Sequence, residues 1–462
     1  MKSSDWKNIN LGTTLNGIRH TMVKRILSPY GRYRNFLMKS QWWPESKLQH
    51  YQFKKLRNII HYAYYHVPYY TRLFDKNGIK PEDIRSLKDI NRIPILEKED
   101  IRLYHKEMVA KTKLLSFLYK CNTSGTTGKP LTLYRNLDNV GFEHALIMRQ
   151  YAWGGIRPYE RLATLKGDLI AENKSKKQEY WTFSSAENTL MMSSYHISKD
   201  TVEGYVKALN RYKPVAIDGY PSSLYALAKL MLEKNIRVPL KAVFTSSETL
   251  LTSQKQVIEY IFGCRAIDYY GMAERVAAIH TCEHGNYHII PEYGYVELLN
   301  CDQNDGDYYE VIGTSLTNFA MPLIRYRTGD ILKLSKEPVF CPCCRNYPVV
   351  EKIIGRMDDY IVTPSGKLIG RLDHIFKGIS NVVQAQLFQP DREHIVLRIV
   401  PDKYYRDQDG KNILNNLQKR VGESMLFEIE HMADIPRGGR GKFKSVVSNV
   451  NVAGRALERQ AV

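Results

Sequence analysis

Val215-Ala216-Ile217-Asp218, a helical run from Ser222 to Lys234, Ala242-Val243-Phe244, a second helical run from Ser253 to Phe262, and then Ala266-Ile267-Asp268-Tyr269 form the stretch that decides the fold. Short β-rich runs alternate here with amphipathic helical runs. Strand and helix in turn imply βαβ units, and therefore a mostly parallel sheet flanked by helices. Ligands of such sheets bind at the loops leaving the carboxyl ends of the strands, so those loops are the place to look for chemistry.

The same alternation begins upstream with Leu131 to Tyr134, a helix from about Asn139 to Tyr151, and Leu162 to Leu165. Before it, Leu48, Phe53, Leu56, Ile59, Ile60 and Tyr64 give residues 46–75 a helical spacing that meets a break at Val67-Pro68. Between 293 and 335 the helices give way to β-rich pieces at Tyr295 to Leu299, Tyr308 to Thr314 and Ile331 to Leu334. After Asp358 the chain reads as a compact α+β unit, with strands at Gln384 to Phe388 and Ile395 to Val400 around a helix near Asn412 to Glu423. The expected fold is thus α/β. A large N-terminal domain (45–357) carries mostly parallel sheets and a small β subdomain at about 280–345, followed by a small α+β C-terminal domain (358–462), whose mobility the family resemblance given below implies.

With 462 residues, 43% hydrophobic and 25% charged, the composition is that of an ordinary globular protein rather than a disordered or fibrous one. No window is apolar for long enough to suggest a membrane helix, and the N-terminus lacks the apolar run of a signal peptide, so a cytoplasmic location is expected. The formal charge of +19 draws the protein to polyanions, among which nucleotides, nucleic acid and acidic membranes all qualify. Part of the excess is local. Residues 1–44 hold Lys2, Lys7, Arg19, Lys24, Arg25, Arg32, Arg34 and Lys39 against Asp5, interleaved with Trp6, Tyr30, Tyr33, Phe36, Trp42 and Trp43. This basic arm either touches an acidic membrane surface or wraps the main domain with its aromatics turned inward. No nucleic-acid-reading motif is present, so no specific nucleic acid is expected as a partner.

Thr123-Ser124-Gly125-Thr126-Thr127-Gly128-Lys129-Pro130 is the strongest chemical signal. Its glycines permit unusual φ and close backbone approach, while its hydroxyls and amides donate hydrogen bonds, as a loop folded around a triphosphate requires. It differs from the P-loop of NTPases, whose glycines are spaced more widely; here only Thr126 and Thr127 lie between them.

This loop resembles the phosphate loop of the adenylate-forming superfamily, which includes acyl-CoA synthetases, peptide-synthetase adenylation domains and luciferases. Further signature stretches follow in that family's order: Thr245-Ser246-Ser247-Glu248, Tyr269-Tyr270-Gly271-Met272-Ala273-Glu274, Tyr326-Arg327-Thr328-Gly329-Asp330, Gly355-Arg356-Met357-Asp358-Asp359 and Pro436-Arg437-Gly438-Gly439-Arg440-Gly441-Lys442. His66-Val67-Pro68-Tyr69-Tyr70, Ile93-Pro94-Ile95-Leu96-Glu97-Lys98-Glu99-Asp100 and Pro322-Leu323-Ile324-Arg325-Tyr326-Arg327 are similar to the phenylacetate-CoA ligase branch, which includes CapK-like proteins of capsular polysaccharide biosynthesis. The resemblance spans residues 45–450.

The resemblance implies a role for each position. Thr123, Ser124, Gly125, Thr126, Thr127, Gly128 and Lys129 would cradle the phosphates of ATP, with Ser247, Glu248, Tyr269 and Gly271 also at the nucleotide. Tyr270 would stack on adenine, Asp330 would accept from the ribose hydroxyls with Arg356 beside it, and Glu274 would hold Mg²⁺, a cation that prefers carboxylate oxygen. Lys442, in a Gly-rich run, would be the mobile catalytic lysine that meets charge building on the α-phosphate, with Lys444 as its alternate, and Asp358 would be the hinge. One position departs from the family: Ala273 stands where a threonine hydroxyl usually contacts the AMP phosphate.

Seven cysteines, with Cys341, Cys343 and Cys344 crowded together, read as a metal site or free thiols rather than a disulfide framework. Cys282, His288, Cys341 and Cys343 resemble a metal cluster of the phenylacetate-CoA ligase branch and would close a structural zinc site pinning the β subdomain; His284 and Cys344 are rival ligands.

The expected activity is ATP-dependent activation of a small carboxylic acid to an acyl-adenylate, followed by transfer to CoA. The alternatives are transfer to a carrier protein, an amine or a sugar of surface polysaccharide assembly, and a degenerate nucleotide-binding scaffold. Tyr151 to Gly155, Asp218 to Pro221 and Phe244 to Ser246 are the expected lining of the acid site, and their aromatic content suits an aryl or medium-sized acid.

Overall fold

The computed structural model describes residues 22–112, 118–122, 131–166, 180–300, 307–335, 339–356, 361–364, 368–369, 375, 381–422, 425–436 and 443–450. A short π-helical turn, Met22–Leu27, leads into α1 (Tyr30–Ser40), α2 (Glu45–His66) and α3 (Pro68–Lys76). The helical spacing read over 46–75 resolves into two helices because Pro68 offers no backbone N–H and holds Val67 extended, at φ −118° and ψ 107°. Helix α4 (Lys98–Tyr104) precedes a hairpin of β1 (Tyr119–Asn122) and β2 (Thr132–Arg135), after which α5 (Leu137–Trp153) crosses the main sheet.

That sheet is built from β3 (Leu162–Lys166), β4 (Trp181–Ser184), β5 (Thr189–Ser193), β6 (Ala216–Gly219), β7 (Ala242–Ser246), β8 (Ala266–Gly271), β9 (Ala278–Thr281) and β10 (Tyr287–Ile289), with α6 (Val202–Tyr212), α7 (Pro221–Glu233) and α8 (Thr252–Phe262) between strands. A second sheet follows, from β11 (Gly294–Asn300), β12 (Tyr308–Ser315) and β13 (Tyr326–Lys333). The strand β14 (Val349–Val350) returns to the main sheet, and β15 (Lys352–Arg356) completes the second one. A small pair, β16 (Ile361–Val362) with β17 (Leu368–Ile369), precedes a last sheet of β18 (Val382–Gln389), β19 (His394–Pro401), β20 (Leu426–His431) and β21 (Val446–Ser448), across which α9 (Asp407–Val421) packs.

The main sheet runs in the order β14-β10-β9-β8-β7-β6-β3-β5-β4. Its centre, from β8 to β5, is parallel as the βαβ reading requires, but both edges are antiparallel because β4–β5, β8–β9 and β9–β10 are joined by short turns that leave no room for a crossover helix. Strand β7 is buried along its whole length, which explains why its first three residues, Ala242 to Phe244, read as an unbroken apolar run. Leu165, Ile217 and Val243 face α6, α7 and α8 in one apolar cluster, whereas Ala216, Ala242 and Phe244 join Tyr151 of α5 in another. The second sheet begins only at Gly294 and includes Lys352–Arg356, so its extent differs from the 280–345 read for the β subdomain; β9 and β10 extend the large sheet instead.

In the described part of the basic arm Tyr33, Phe36 and Trp43 pack inward, whereas Met22, Ile26, Leu27 and Trp42 stay exposed. Tyr33 meets Phe142 of α5 with ring centroids 5.0 Å apart and donates its hydroxyl to Asp138, while Phe36 lies between Trp43, Tyr51 and Phe142.

Candidate active site

Strands β3, β6, β7 and β8 all end on the same side of the sheet, and β7 and β8 lead directly into Ser247-Glu248 and Met272-Ala273-Glu274. Glu274, only 8% exposed, accepts a hydrogen bond from the Tyr326 hydroxyl at 3.2 Å, and the Tyr270 hydroxyl donates to Asp330 at 2.8 Å. Two signature segments more than fifty residues apart are therefore joined by a pair of hydrogen bonds, which brings Tyr270, Glu274 and Asp330 into one site. Asp330 pairs in turn with Arg356 across β13 and β15.

The segment carrying Glu274 is seated by close backbone packing. A Cβ on Gly294 would fall well inside contact distance of the Val276 carbonyl oxygen, and one on Gly313 would lie 2.6 Å from Val276 Cγ2. Only glycine lets β11 and β12 approach this closely. Arg275 has φ 55° and donates from its guanidinium to the backbone and side-chain oxygens of Asn139 at 3.0 and 2.9 Å, while Tyr269 donates to Glu143 at 2.6 Å. Both partners lie on α5, so the loop after β8 is held by helix on one side and by glycine-lined strands on the other.

Thr123, Ser124, Gly125, Thr126, Thr127, Gly128, Lys129, Asp358 and Lys442 lie outside the described residues. The flanks of the glycine-hydroxyl loop are described: Asn122 pairs with Thr132, so the two ends of the loop are tied together by the β1–β2 ladder. Just beyond, the Arg135 guanidinium donates to the Ala273 carbonyl, and Leu131 and Leu133 pack in the same cluster as Met272 and Ala273. The base of the loop thus stands beside Glu274.

Ser247 has φ 73°, a left-handed conformation that costs a non-glycine residue energy and is often retained at functional turns. The carboxylate of the next residue, Glu248, accepts from the backbone N–H of Ser222 at 3.0 Å and from that of Phe443 at 2.7 Å. Beneath this turn Asp268 is fully buried; burial pushes its carboxyl up to about 6, against the hydrogen bonds donated by Thr245 and Tyr287.

The segments expected to line the acid site do converge, with a polar element that their aromatic content did not suggest. Tyr151 and Phe244 have ring centroids 4.3 Å apart, and between them and β3 the Asp218 carboxylate accepts from the Tyr151 hydroxyl at 2.7 Å and pairs with Lys166 at 2.6 Å. The signal was an acid inside an apolar strand, since Asp is rarely buried without a partner. Arg135, Glu143 and Tyr326 were likewise not singled out, because their roles depend on contacts with remote segments.

The family model of the CapK C-terminal domain matches residues 361–449. Protein CapK of Staphylococcus aureus is 28% identical over 418 residues, 87% of this chain and 89% of that protein. Phenylacetate-coenzyme A ligase of Thermus thermophilus is 26% identical over 344 residues, 69% of this chain and 72% of that one. Among solved structures, 2-hydroxyisobutyryl-CoA ligase in its postadenylation state shares the fold with a TM-score of 0.66 at 20% identity, covering 89% of this chain and 93% of its own. These likenesses support a place in the adenylate-forming superfamily, in its CapK-like branch.

This CapK-like chain also gathers Cys282, His288, Cys341 and Cys343, all buried, with candidate ligand atoms within 4.8 Å of one another. The Cys282 and Cys341 sulfurs are 3.6 Å apart, close to the edge of about 3.8 Å of a tetrahedron with zinc–sulfur bonds of about 2.3 Å. His288 Nε2 lies 3.4 Å from Cys343 Sγ while Nδ1 faces the Tyr347 carbonyl, the second contact that fixes a ligating imidazole. Backbone and side-chain N–H groups of His284 and Asn286 donate to Cys282 and Cys341. Burial pushes the Cys282 thiol up to about 12, so a cation is what would make this buried thiol a thiolate. Of the rivals, Cys344 is exposed with its sulfur toward the Pro342 carbonyl, and His284 contributes its backbone. The cluster sits where β9 and β10 meet β14, at the edge of the large sheet rather than in the second one. Among the described residues no helix is long and apolar enough to cross a membrane.

Proposed function

We propose that this chain is an acyl-CoA ligase: it activates a carboxylic acid with Mg-ATP to an acyl-adenylate and pyrophosphate, then transfers the acyl group to the thiol of CoA. The observation that carries the reading is the linkage of Tyr270 to Asp330 and of Glu274 to Tyr326 at the carboxyl end of β8, beside the base of the Thr123–Lys129 loop. A carboxylate resists nucleophiles because oxide is a poor leaving group, whereas AMP leaves readily. Tyr270 and Asp330 would hold the adenosine, with Ser247, Tyr269, Gly271 and Arg356 around it, and the loop would hold the phosphates. Glu274 offers the buried carboxylate that Mg²⁺ accompanying ATP would use, and the ion would offset phosphate charge. Lys442 would place its ammonium where charge develops on the α-phosphate oxygens. The phenylacetate-coenzyme A ligase of Thermus thermophilus and the 2-hydroxyisobutyryl-CoA ligase structure support CoA as the acceptor.

A second reading, acyl transfer to a carrier protein or a sugar, is favoured by the CapK C-terminal match over 361–449, since the C-terminal unit would face the acceptor. A zinc held by Cys282, His288, Cys341 and Cys343 would be structural, because four protein ligands leave no position for water. Contact of the arm with an acidic membrane surface rests on its charge and on the exposed Met22, Ile26 and Leu27.

The test is incubation with ATP, Mg²⁺, CoA and a panel of carboxylic acids, with products identified by mass. AMP together with an acyl-CoA is the expected outcome. AMP and consumed acid with no thioester would redirect the reading to the second acceptor class, and ADP would overturn it.

A further inference from the structure

Helix α7 carries a stripe of contacts to the C-terminal unit at Tyr225, Lys229 and Glu233, positions spaced to lie along one face. Tyr225 donates its hydroxyl to the Val382 carbonyl at 3.3 Å, Lys229 pairs with Asp402 at 2.9 Å, and Lys403 reaches the Glu233 carbonyl at 3.5 Å. The Lys229 and Asp402 side chains are 11% and 0% exposed, so this docked contact is dry. At the head of the stripe stands Glu248, whose two carboxylate oxygens take the N–H of Ser222, in the first turn of α7, and the N–H of Phe443. A carboxylate at a helix N-terminus satisfies an otherwise unpaired donor and is favoured by the helix dipole.

Phe443 is the residue after Lys442. On its far side the chain is fixed again: the Lys444 carbonyl accepts from Gln386, and β21 pairs in parallel with β18. The backbone beside Lys442 is therefore held between the C-terminal sheet and a carboxylate of the N-terminal unit, and the latter bond exists only while the two units are docked.

We propose that Glu248 is a positioning residue for the adenylation step: its carboxylate clasps the Phe443 amide and so sets where the segment carrying Lys442 begins, while acyl transfer proceeds without it. The inference rests on the adenylate-forming reading above. Because charge-assisted bonds of this kind hold a reactive group in register, their loss is expected to act on turnover rather than on substrate binding.

The experiment measures two half-reactions in wild type, Glu248→Ala and Glu248→Gln: acid-dependent pyrophosphate exchange into ATP, and thioester formation from pre-formed acyl-AMP and CoA. Glu248→Ala is expected to slow exchange by about tenfold or more with KM for ATP and acid little changed, and to leave thioester formation within about twofold. Glu248→Gln, which keeps one acceptor oxygen, is expected to recover part of the loss. Unchanged exchange, or an equal fall in both half-reactions, overturns the proposal. Hydrogen exchange at the Phe443 amide is read on the same proteins without substrate and is expected to quicken in Glu248→Ala; unchanged protection overturns the clasp. A wild type that exchanges with no acid sinks the functional reading alone, because amide protection at Phe443 still decides the clasp.

Discussion

At Gly294 the backbone of Val276, and at Gly313 its side chain, lies where a side chain would otherwise stand, and two residues away Glu274 is buried against Tyr326. The position of a proposed metal-binding carboxylate is thus set by two missing methyl groups. Gly294→Ala is expected to cost about 1–3 kcal/mol by overpacking. Because the cheapest relief is to push the Ala273–Val276 segment outward, turnover falls as well; denaturant unfolding and initial rates together check this, and full activity in a normally stable variant would refute it. The Tyr270–Asp330 and Glu274–Tyr326 pairs lie within signature stretches that were readable in the sequence. The bonds between them were not, since side chains more than fifty positions apart meet only once both sheets are built. Glu248 shows the same limit. An acid after Ser247 at the end of β7 reads naturally as a nucleotide contact, yet both its oxygens are engaged by backbone amides.

Among elements, the strands β6, β7 and β8 and helices α7 and α8 fall within one or two residues of their sequence boundaries, because strands buried on both faces and helices with one apolar face leave strong periodic signals. The antiparallel edges left no such signal: β14 spans two residues and owes its place to a ladder with Tyr287 and His288. The junction it closes is the Cys/His cluster. If zinc binds there, Cys341→Ser is expected to lose about one equivalent of metal per chain and to lower the thermal midpoint by about 5 °C or more, with KM unchanged. Metal analysis of the purified protein decides; three freely reactive thiols with no bound metal would refute it. The docking of the N-terminal segment on α5 carries a pH dependence. His144 accepts from Arg25 at 2.9 Å, and burial, aided by Lys24 and Arg25, holds its pKa down at about 3 from 6.5. A depressed histidine contributes stability that is complete above 6.5 and is drawn down as pH falls toward 3, since the unfolded chain takes the proton first. The thermal midpoint of wild type is expected to drop between pH 7 and 5 more steeply than that of His144→Gln, which keeps an acceptor and does not titrate; parallel slopes would contradict the assignment.

Across the whole molecule, a buried network joins Ser40 of α1, Arg149 of α5, Glu292 and Tyr347, tying the N-terminal helices, the main sheet and the cysteine loop into one body. Against this body the C-terminal unit, with its own apolar core from Ile361 to Val446, docks through α7 and Glu248. The βαβ alternation and the order of signature stretches made the architecture legible. Which polar groups meet Tyr151 and Phe244, Asp218 and Lys166 among them, depended on packing that no local pattern encodes. The central claim is that carboxylates take AMP from ATP at the site built around Tyr270, Glu274 and Asp330, with Lys442 as the cation that meets the α-phosphate. Its most direct test is acid-dependent exchange of labelled pyrophosphate into ATP, without CoA, by wild type and Lys442→Ala. The account predicts exchange with at least one acid and a loss of about a hundredfold or more in the variant with KM nearly unchanged; exchange of equal rate in Lys442→Ala, or none in wild type across the acid panel, would contradict it.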